Sequence, residues 1–479
     1  MKLDAFLEIE NQYGLVQDEI DGFAYWTYFR CDLKWDLESL VDSCDEMYVH
    51  PTFSFWKKMQ ARMGTVKYAV CNSKIPSGNH DLLIFNHERK VWIDNHYECI
   101  YTDRIAEKYP NSVVLERPYF QQHSKPVQTH NLVYTDLIEL KAMLYFYIHN
   151  AFLKKQVARV QEKIRARISE PLQKICEAYQ IEYDVNRILQ KMVCGYYVYK
   201  VKRCEFEKII KKVKPKAILE VVGYNLDCMI VNEIASEYRI PTIELQHGAT
   251  GDEHIPYNYT KETYVKQFAQ YFFAFSQFWI DAASYPLPVE RMIDIGFPYL
   301  DQKAEAIKAR ITKTKPCKIV FISQPMIGER LSEIAVSLYD MLDSNKYQIV
   351  YKLHPGEYER WRERYPGLAE SKVKVVDNNH VDLYELFAEA EYQVGAYGST
   401  ATFEGLEFDL KTYILRDGAA SVLQLLCEKK MATFFDSPEE LYHMIVVNES
   451  EEVKTVDFWK KNALDNMKKM VDSIIAGQL

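Results

Sequence analysis

The sequence predicts an α/β protein of two doubly wound parallel-sheet domains facing each other across a cleft, with a helical insertion in the N-terminal half. Three observations predict it. From Ala217 onward, short apolar strands alternate with single amphipathic helices, the rhythm of parallel α/β units. That rhythm breaks at a charged stretch ending in "TKTKP" and restarts at "CKIVFIS". Between about 136 and 212 the apolar residues recur at helical spacing, too long a run for the loops of a simple sheet.

Taken in order, residues 1–60 are aromatic and acidic, and "GFAYWTYFRCDLKWDLESLV" reads as helix. Strand-like pieces follow at "YAVCN", "DLLIFN", "CIYTD" and "SVVLERP". The helical zone 136–212 comes next, then strand 217–222, helix "LDCMIVNEIASEYR", strand "IPTIEL", strand "YFFAFS" and "RMIDIGFPYLD". These make a first unit, 1–300, that contains the insertion. Residues 301–316 read as a linker, since they are charged and end in a helix-breaking proline. A second unit, 317–450, runs through strands "CKIVFIS", "YQIVYKLH", "VKVVD", "YQVGAY" and "TYIL" with helices between them. Residues 451–479 read as closing helices.

Composition narrows the function classes. At 479 residues the chain is too long for one ordinary core. A net charge of −9 argues against electrostatic binding of nucleic acid by the whole molecule. No apolar run is long enough to span a bilayer, and "MKLDAFLEIENQYG" lacks a basic start and an apolar stretch, so a cytoplasmic location is expected. The 10 cysteines form no CxxC pair, which favours buried thiols over disulfides or a zinc site. Charge is uneven: residues 154–216 hold 17 Lys/Arg against 7 Asp/Glu, leaving the remainder at −19. Within that zone Leu153, Val157, Val160, Ile164 and Ile168 sit at helical spacing among basic residues. A solvated surface helix explains this, and so does peripheral contact of 153–216 with an anionic membrane.

In doubly wound sheets, ligands sit beyond the carboxyl ends of the strands, so the strand exits carry the functional candidates. "YKLHPGE" brings Lys352, His354 and Pro355 to one exit, with the proline fixing the turn. "VGAYGSTATFEGLEF" brings Gly398, Ser399 and Thr400 to the start of a helix, a place suited to an anion or to a plain cap. Glu404 lies one turn further on, where it can accept from a ribose diol or stabilise the helix start. Asp382 in "NNHVDLYELF" either caps a helix or belongs to a loop that covers a base. Arg330, after the first strand of the second unit, is a candidate cation for a leaving phosphate.

The run from "KLHP" through "DLYELFAEAEYQVGAYGSTATFEGL" to "KTYIL" resembles the donor-binding half of GT-B fold glycosyltransferases, whose two halves are Rossmann-like domains. It is most similar to bacterial surface-polysaccharide enzymes: capsule glycosyltransferases, sialyl- and polysialyltransferases, and the CDP-glycerol glycerophosphotransferases of teichoic acid synthesis. The resemblance covers about 217–440. It implies a nucleotide-sugar donor with its phosphate at His354 and Ser399/Thr400, its ribose at Glu404 and its base under loop 378–384. It also implies an acceptor-side residue at the exit Gln246-His247-Gly248. The acidic pair Asp252-Glu253 departs from the sialyltransferase pattern, because no glycine follows it.

His247 has a physical case of its own as general base, since histidine titrates near neutrality without a strong shift. Asp252 and Glu253 are reserves, and His254 a secondary residue at the cleft lip. His87, Glu88 and Arg89, at an N-terminal strand exit, are candidate acceptor contacts. No Asp-x-Asp stands at a strand end, so no metal or other cofactor is expected. The resulting expectation is transfer of a sugar, with a CMP-linked acidic sugar as preferred donor, to a surface glycan or lipid-linked acceptor. Phosphotransfer from a CDP-alditol and an epimerase acting on UDP-N-acetylglucosamine are the alternatives.

Overall fold

The computed structural model describes residues 2–41, 64, 66–69, 74–119, 122–260, 263–378, 380–417, 420–447 and 458–479. Its first half begins with helices Asp4–Gln12 and Tyr25–Val41. Then come β1 (Leu82–Phe85), a hairpin of β2 (Val91–Ile93) and β3 (His96–Glu98), β4 (Val113–Glu116) and β5 (Leu132–Tyr134). Three long helices follow, Asp136–Phe152, Lys154–Tyr179 and Val185–Val213, where the sequence predicts the helical insertion. The half closes with β6 (Ala217–Val221), β7 (Thr242–Leu245), β8 (Tyr271–Ala274) and β9 (Met292–Asp294).

Among the described residues these strands form a seven-stranded sheet in the order β5-β4-β1-β6-β7-β8-β9, with every pairing parallel. The second half contributes β10 (Cys317–Ile322), β11 (Tyr347–Lys352), β12 (Lys374–Val376), β13 (Ala390–Gly395), β14 (Lys411–Leu415) and β15 (Thr433–Phe435). Their order is β12-β11-β10-β13-β14-β15, again all parallel. Both orders start at a central strand, run outward one way, and then reverse. The reversal opens a crevice between β1 and β6 in one sheet and between β10 and β13 in the other. These are the two Rossmann-like layers of a GT-B architecture. The central strands β1, β4, β6, β7 and β8 are buried along their whole length, as parallel strands covered on both faces must be.

One apolar cluster spans both halves. Phe275, Phe278 and Trp279 after β8 pack with Phe403, Phe458 and Trp459, and Trp459 Nε1 donates to the Phe403 carbonyl at 2.9 Å. Helix Pro298–Lys308 buries Leu300, Ala304 and Ile307 in the same cluster, and an extended segment then leads to β10. The C-terminal helix Ala463–Ile475 crosses back, placing Met467, Val471 and Ile474 against the first sheet.

Two expected strands do not form. Cys99–Thr102 of "CIYTD" is a turn, because Asp103 at the head of helix Asp103–Lys108 accepts from the Cys99 N–H at 2.8 Å and folds the segment back. In "YAVCN", Tyr68 and Ala69 are helical, and 70–72 lie outside the described residues, as do 42–60 of the N-terminal stretch. Of the described cysteines, Cys31, Cys99 and Cys228 are buried free thiols and Cys204 is exposed.

A buried ion pair ties the first helices to the loop after β7. Arg30 is wholly buried; its Nε and Nη2 donate to Glu10 at 2.7 and 2.8 Å, and its Nη1 and Nη2 donate to the carbonyls of Ile255 (2.7 Å) and Asn258 (3.0 Å). Removing one member leaves the other charged in a dry site, at a cost of about 3–5 kcal/mol. Glu10→Leu should therefore lose stability on that order in urea unfolding. The double change Glu10→Leu/Arg30→Met should lose less than the single one.

Candidate functional site

The exits of β1, β6 and β7 bring four aromatic or imidazole rings together. His247 Nε2 lies 3.2 Å from Tyr224 OH, and Tyr101 OH donates to the His247 carbonyl at 2.7 Å. The His87 ring stands 6.2 Å from that of His247 and 5.5 Å from that of Tyr101. His87 Nδ1 faces the backbone of Arg89, 3.0 Å from its N–H and 3.2 Å from its carbonyl. Glu88 accepts from Arg117 at 2.7 Å, and although burial opposes its charge, that cation holds its carboxyl below the usual range.

Burial, with His87 and His254 nearby, lowers His247 to about 3. This corrects the expectation of a histidine without a strong shift: the strand exit is drier than its polar residues suggest. His247 Nδ1 is buried without a partner. His254 is half-buried. Its ring packs 5.8 Å from Tyr224 and 5.2 Å from Tyr257, and burial lowers it to about 4. Gln246 is fully buried, and both ends of its amide are engaged, Nε2 by the Gly248 carbonyl (2.8 Å) and Oε1 by the Phe275 N–H (2.7 Å). It shapes the loop from below and presents nothing to an acceptor.

Beneath Tyr224 lies a feature that the sequence reading missed. Glu220 and Glu244 are register partners on β6 and β7, both fully buried. Glu244 Oε1 accepts from Tyr257 OH at 2.6 Å and from the Gly223 N–H at 2.9 Å. A Cβ on Gly223 would lie 2.3 Å from Glu244 Oε2, so only glycine fits over the pair. The preceding Val222 has φ +59°, a conformation strained for a β-branched residue. The acids thus fasten the turn that carries Tyr224. Burial raises Glu244 to about 7 and Glu220 well above the usual carboxylate range. Alternation would have placed both acids on one face of adjacent strands, but only with the pairing register known.

On the second sheet, His354 N–H donates to Glu357 Oε2 at 2.7 Å and His354 Nδ1 accepts the Gly356 N–H at 3.1 Å, with Pro355 opening the turn. Nδ1 therefore carries no proton, and the exposed Nε2–H is a free donor direction. Buried Glu357 also accepts from Ser323 (2.9 Å) and Tyr365 (2.5 Å). Ser399 takes the N-cap position but does not cap its helix; its Oγ accepts from Gln324 Nε2 at 3.0 Å. Gly398 has φ +129°, which a side chain rarely tolerates.

Glu404 is hydrogen-bonded to Tyr384, and burial raises it to about 7. Asp382 caps helix Leu383–Glu389 through the Tyr384 N–H (2.9 Å) and pairs with Lys303 at 2.5 Å. Lys303 also donates to Tyr299 OH at 2.9 Å and lies over the Tyr299 and Tyr384 rings. Lys352 is turned to its own loop, donating to the Asn378 carbonyl at 2.9 Å with Tyr358 OH 2.5 Å away. Arg330 is exposed on helix Gly328–Met341, 3.5 Å from Glu333, and joins none of these groups.

The two sets meet. The Ala249 N–H donates to Thr400 Oγ1 at 3.4 Å, and a Cβ on Gly248 would lie 3.9 Å from the same oxygen. Glu404 in the second half raises Tyr101 in the first, after burial, and burial depresses His354 in the second, with Arg89 of the first half adding to it against Glu357. Asp252 accepts from Ser421 Oγ and lines an open groove of about 360 Å³ with Asp281, Ser284, Gln424 and Glu428. Glu253 is half-buried, raised by burial and by Asp252. Among the described residues no group of three or more His, Cys, Asp or Glu side chains is placed to hold a metal ion.

No protein-family model and no curated protein matches the sequence. Several solved structures resemble it. The Methanocaldococcus jannaschii UDP-GlcNAc 2-epimerase, in complex with UDP-GlcNAc and UDP, is 11% identical, with 82% of this chain and 99% of that one covered and a TM-score of 0.42. Acinetobacter baumannii MurG is 12% identical, with 82% and 99% covered and a TM-score of 0.46. The glycotransferase of kitacinnamycin is 11% identical, with 84% and 96% covered and a TM-score of 0.44.

The shifted groups fix a pH dependence of stability. His247 and His254 are depressed when folded, so their contribution is present above about 6.5 and is lost as pH falls toward 3. Glu404 and Glu244 are raised, so theirs is present below about 4.5 and is lost as pH rises through 7. Glu404→Gln should flatten the decline in thermal midpoint between pH 5 and 8 while leaving the acid limb unchanged.

Proposed function

We propose that the protein is a glycosyltransferase that takes a nucleotide-activated sugar on its second sheet and transfers the sugar to a glycan or lipid-linked acceptor presented to His247 on the first. The observation that carries this reading is the 3.4 Å contact between Ala249 and Thr400, which sets the His247 loop against the Gly398–Thr400 turn. The donor's phosphate is held by His354 Nε2–H and the turn at Ser399/Thr400. Its ribose diol meets Glu404, and its base lies under the 378–384 loop that Asp382 anchors. The preferred donor is a CMP-linked acidic sugar, because the His-Pro and Ser-Thr motifs at 354–355 and 399–400 resemble those of the sialyl and capsule enzymes.

In the proposed inverting transfer, an acceptor oxygen forms the new bond to the anomeric carbon as the carbon–phosphate oxygen bond breaks. The leaving nucleotide is stabilised by His354 and the turn amides. The acceptor proton passes to Tyr224 as Tyr224 gives its own to His247 Nε2, so His247 ends protonated. A free His247 near 3 is a poor base, but an anionic donor a few ångströms away raises a histidine by about 1–3 pKa units. The base is thus strengthened by the substrate it serves.

Incubation with CMP-, CDP- and UDP-linked donors, with and without acceptor glycans, tests the class. Release of CMP from a CMP-sugar with transfer of the sugar supports the proposal. CMP released from a CDP-alditol would replace it with phosphotransfer, and epimerised UDP-N-acetylglucosamine without nucleotide loss would replace it with epimerisation. Tyr224→Phe should lower turnover by about 10²-fold, with nucleotide affinity kept. Glu404→Ala should weaken nucleotide binding before it affects the chemical step.

A further inference from the structure

Helix Asp136–Phe152 carries an apolar face that is exposed among the described residues. Leu140 is 40% exposed, Leu144 56%, Tyr147 59%, Ile148 44% and Phe152 82%. Their spacing puts all five on one side of the helix. The opposite side is already seated: Ile138 and Ala142 are buried, and Tyr145 and His149 pack on Tyr197 at 6.2 and 4.8 Å. Among the described residues, no other element packs over the exposed stripe.

Two neighbouring features say what covers it. The next helix begins one residue later with exposed Lys154, Lys155 and Arg159, none of which has an ion-pair partner among the described residues. At the other end, Leu137 continues the stripe into an apolar cavity of about 160 Å³. Leu115, Val133, Ile138 and Ile209 line that cavity together with Lys212 and the Lys208–Glu205 ion pair. Apolar and aromatic side chains next to unpaired lysines fit the boundary between lipid headgroups and acyl chains.

We propose that this face seats the protein peripherally on an anionic lipid bilayer, with Leu144, Tyr147, Ile148 and Phe152 entering the acyl boundary and Lys154, Lys155 and Arg159 meeting the headgroups. A second copy of the chain is the competing occupant, and it would leave the exposed cations after Phe152 without a counter-charge from this face. The surface also relocates the basic zone read from sequence. Further along, Lys163 and Arg167 pair with Asp21 and Asp18, and Lys202 is buried against Asp227 and Glu139. Lys154, Lys155 and Arg159 at the corner after Phe152 have no ion pair among the described residues, and Lys200, Lys212 and Lys214 share that state further along. Among the described residues no helix is long and apolar enough to cross a membrane, so the contact is one of lying on the surface.

Co-sedimentation of the full chain with vesicles tests this without reference to any nucleotide, so its failure and that of the transferase reading are separable. The chain should sediment with phosphatidylcholine vesicles containing about one-third phosphatidylglycerol, and far less with phosphatidylcholine alone or in high salt. Leu144→Ser/Phe152→Ser and, separately, Lys154→Glu/Lys155→Glu should each weaken binding by about ten-fold or more with the thermal midpoint unchanged. Absence of binding to anionic vesicles, or variants that bind like the parent, would overturn the proposal. So would a dimer in sedimentation analysis that Phe152→Ser dissociates, since the face would then belong to a second copy.

Discussion

The Arg30 guanidinium holds Glu10 on one side and the carbonyls of Ile255 and Asn258 on the other, and the cleft depends on that grip. It fixes the far end of the loop that carries His247. Gln246 fixes the near end, and Asn258 Nδ2 closes the middle by donating to the carbonyls of Gly251 (2.7 Å) and His254 (2.8 Å). Tyr101 then holds the His247 carbonyl, and Ala249 reaches Thr400. A loop tied at so many points loses its freedom on folding, so substrate binding need not order it again.

The same ties explain why the resting cleft is electrically quiet. His247 and His254 are neutral because burial penalises their charged forms, while Glu404 and Glu244 are held near 7 by the same penalty acting on acids. The standing cation at the cleft, Arg89, stacks on Tyr119. In the proposed reading a phosphate arriving at His354 finds the nearby Glu357 carboxylate already tied by Ser323, Tyr365 and the His354 N–H.

Much of the architecture was legible because parallel strands buried on both faces leave continuous apolar runs, as "AILEV" and "TIEL" do. "CIYTD" misled for a local reason: an aspartate that bonds a preceding amide looks like a strand end in one dimension. In the site, the short motifs announced His247, His354, Ser399 and Glu404, since glycine, proline and histidine cluster where strands stop. Tyr101, Tyr224 and Lys303 gave no such signal. They come from segments distant in sequence and acquire meaning only through the sheet order, as does the Glu220–Glu244 pair. Arg330 and Lys352 show the converse, cations near the right strands whose side chains turn elsewhere. The apolar stripe of 136–152 was hidden beside the more conspicuous charge of 154–216.

The central claim divides labour between two histidines on two sheets, and the direct test is to separate binding from turnover in each. Calorimetric titration of the donor's nucleotide into His247→Ala and His354→Ala, paired with single-turnover rates on the same preparations, does so. The account predicts that His247→Ala binds nucleotide like the parent and loses turnover, whereas His354→Ala loses affinity first. Near-normal turnover in His247→Ala, or equal loss of affinity in both variants, would contradict it.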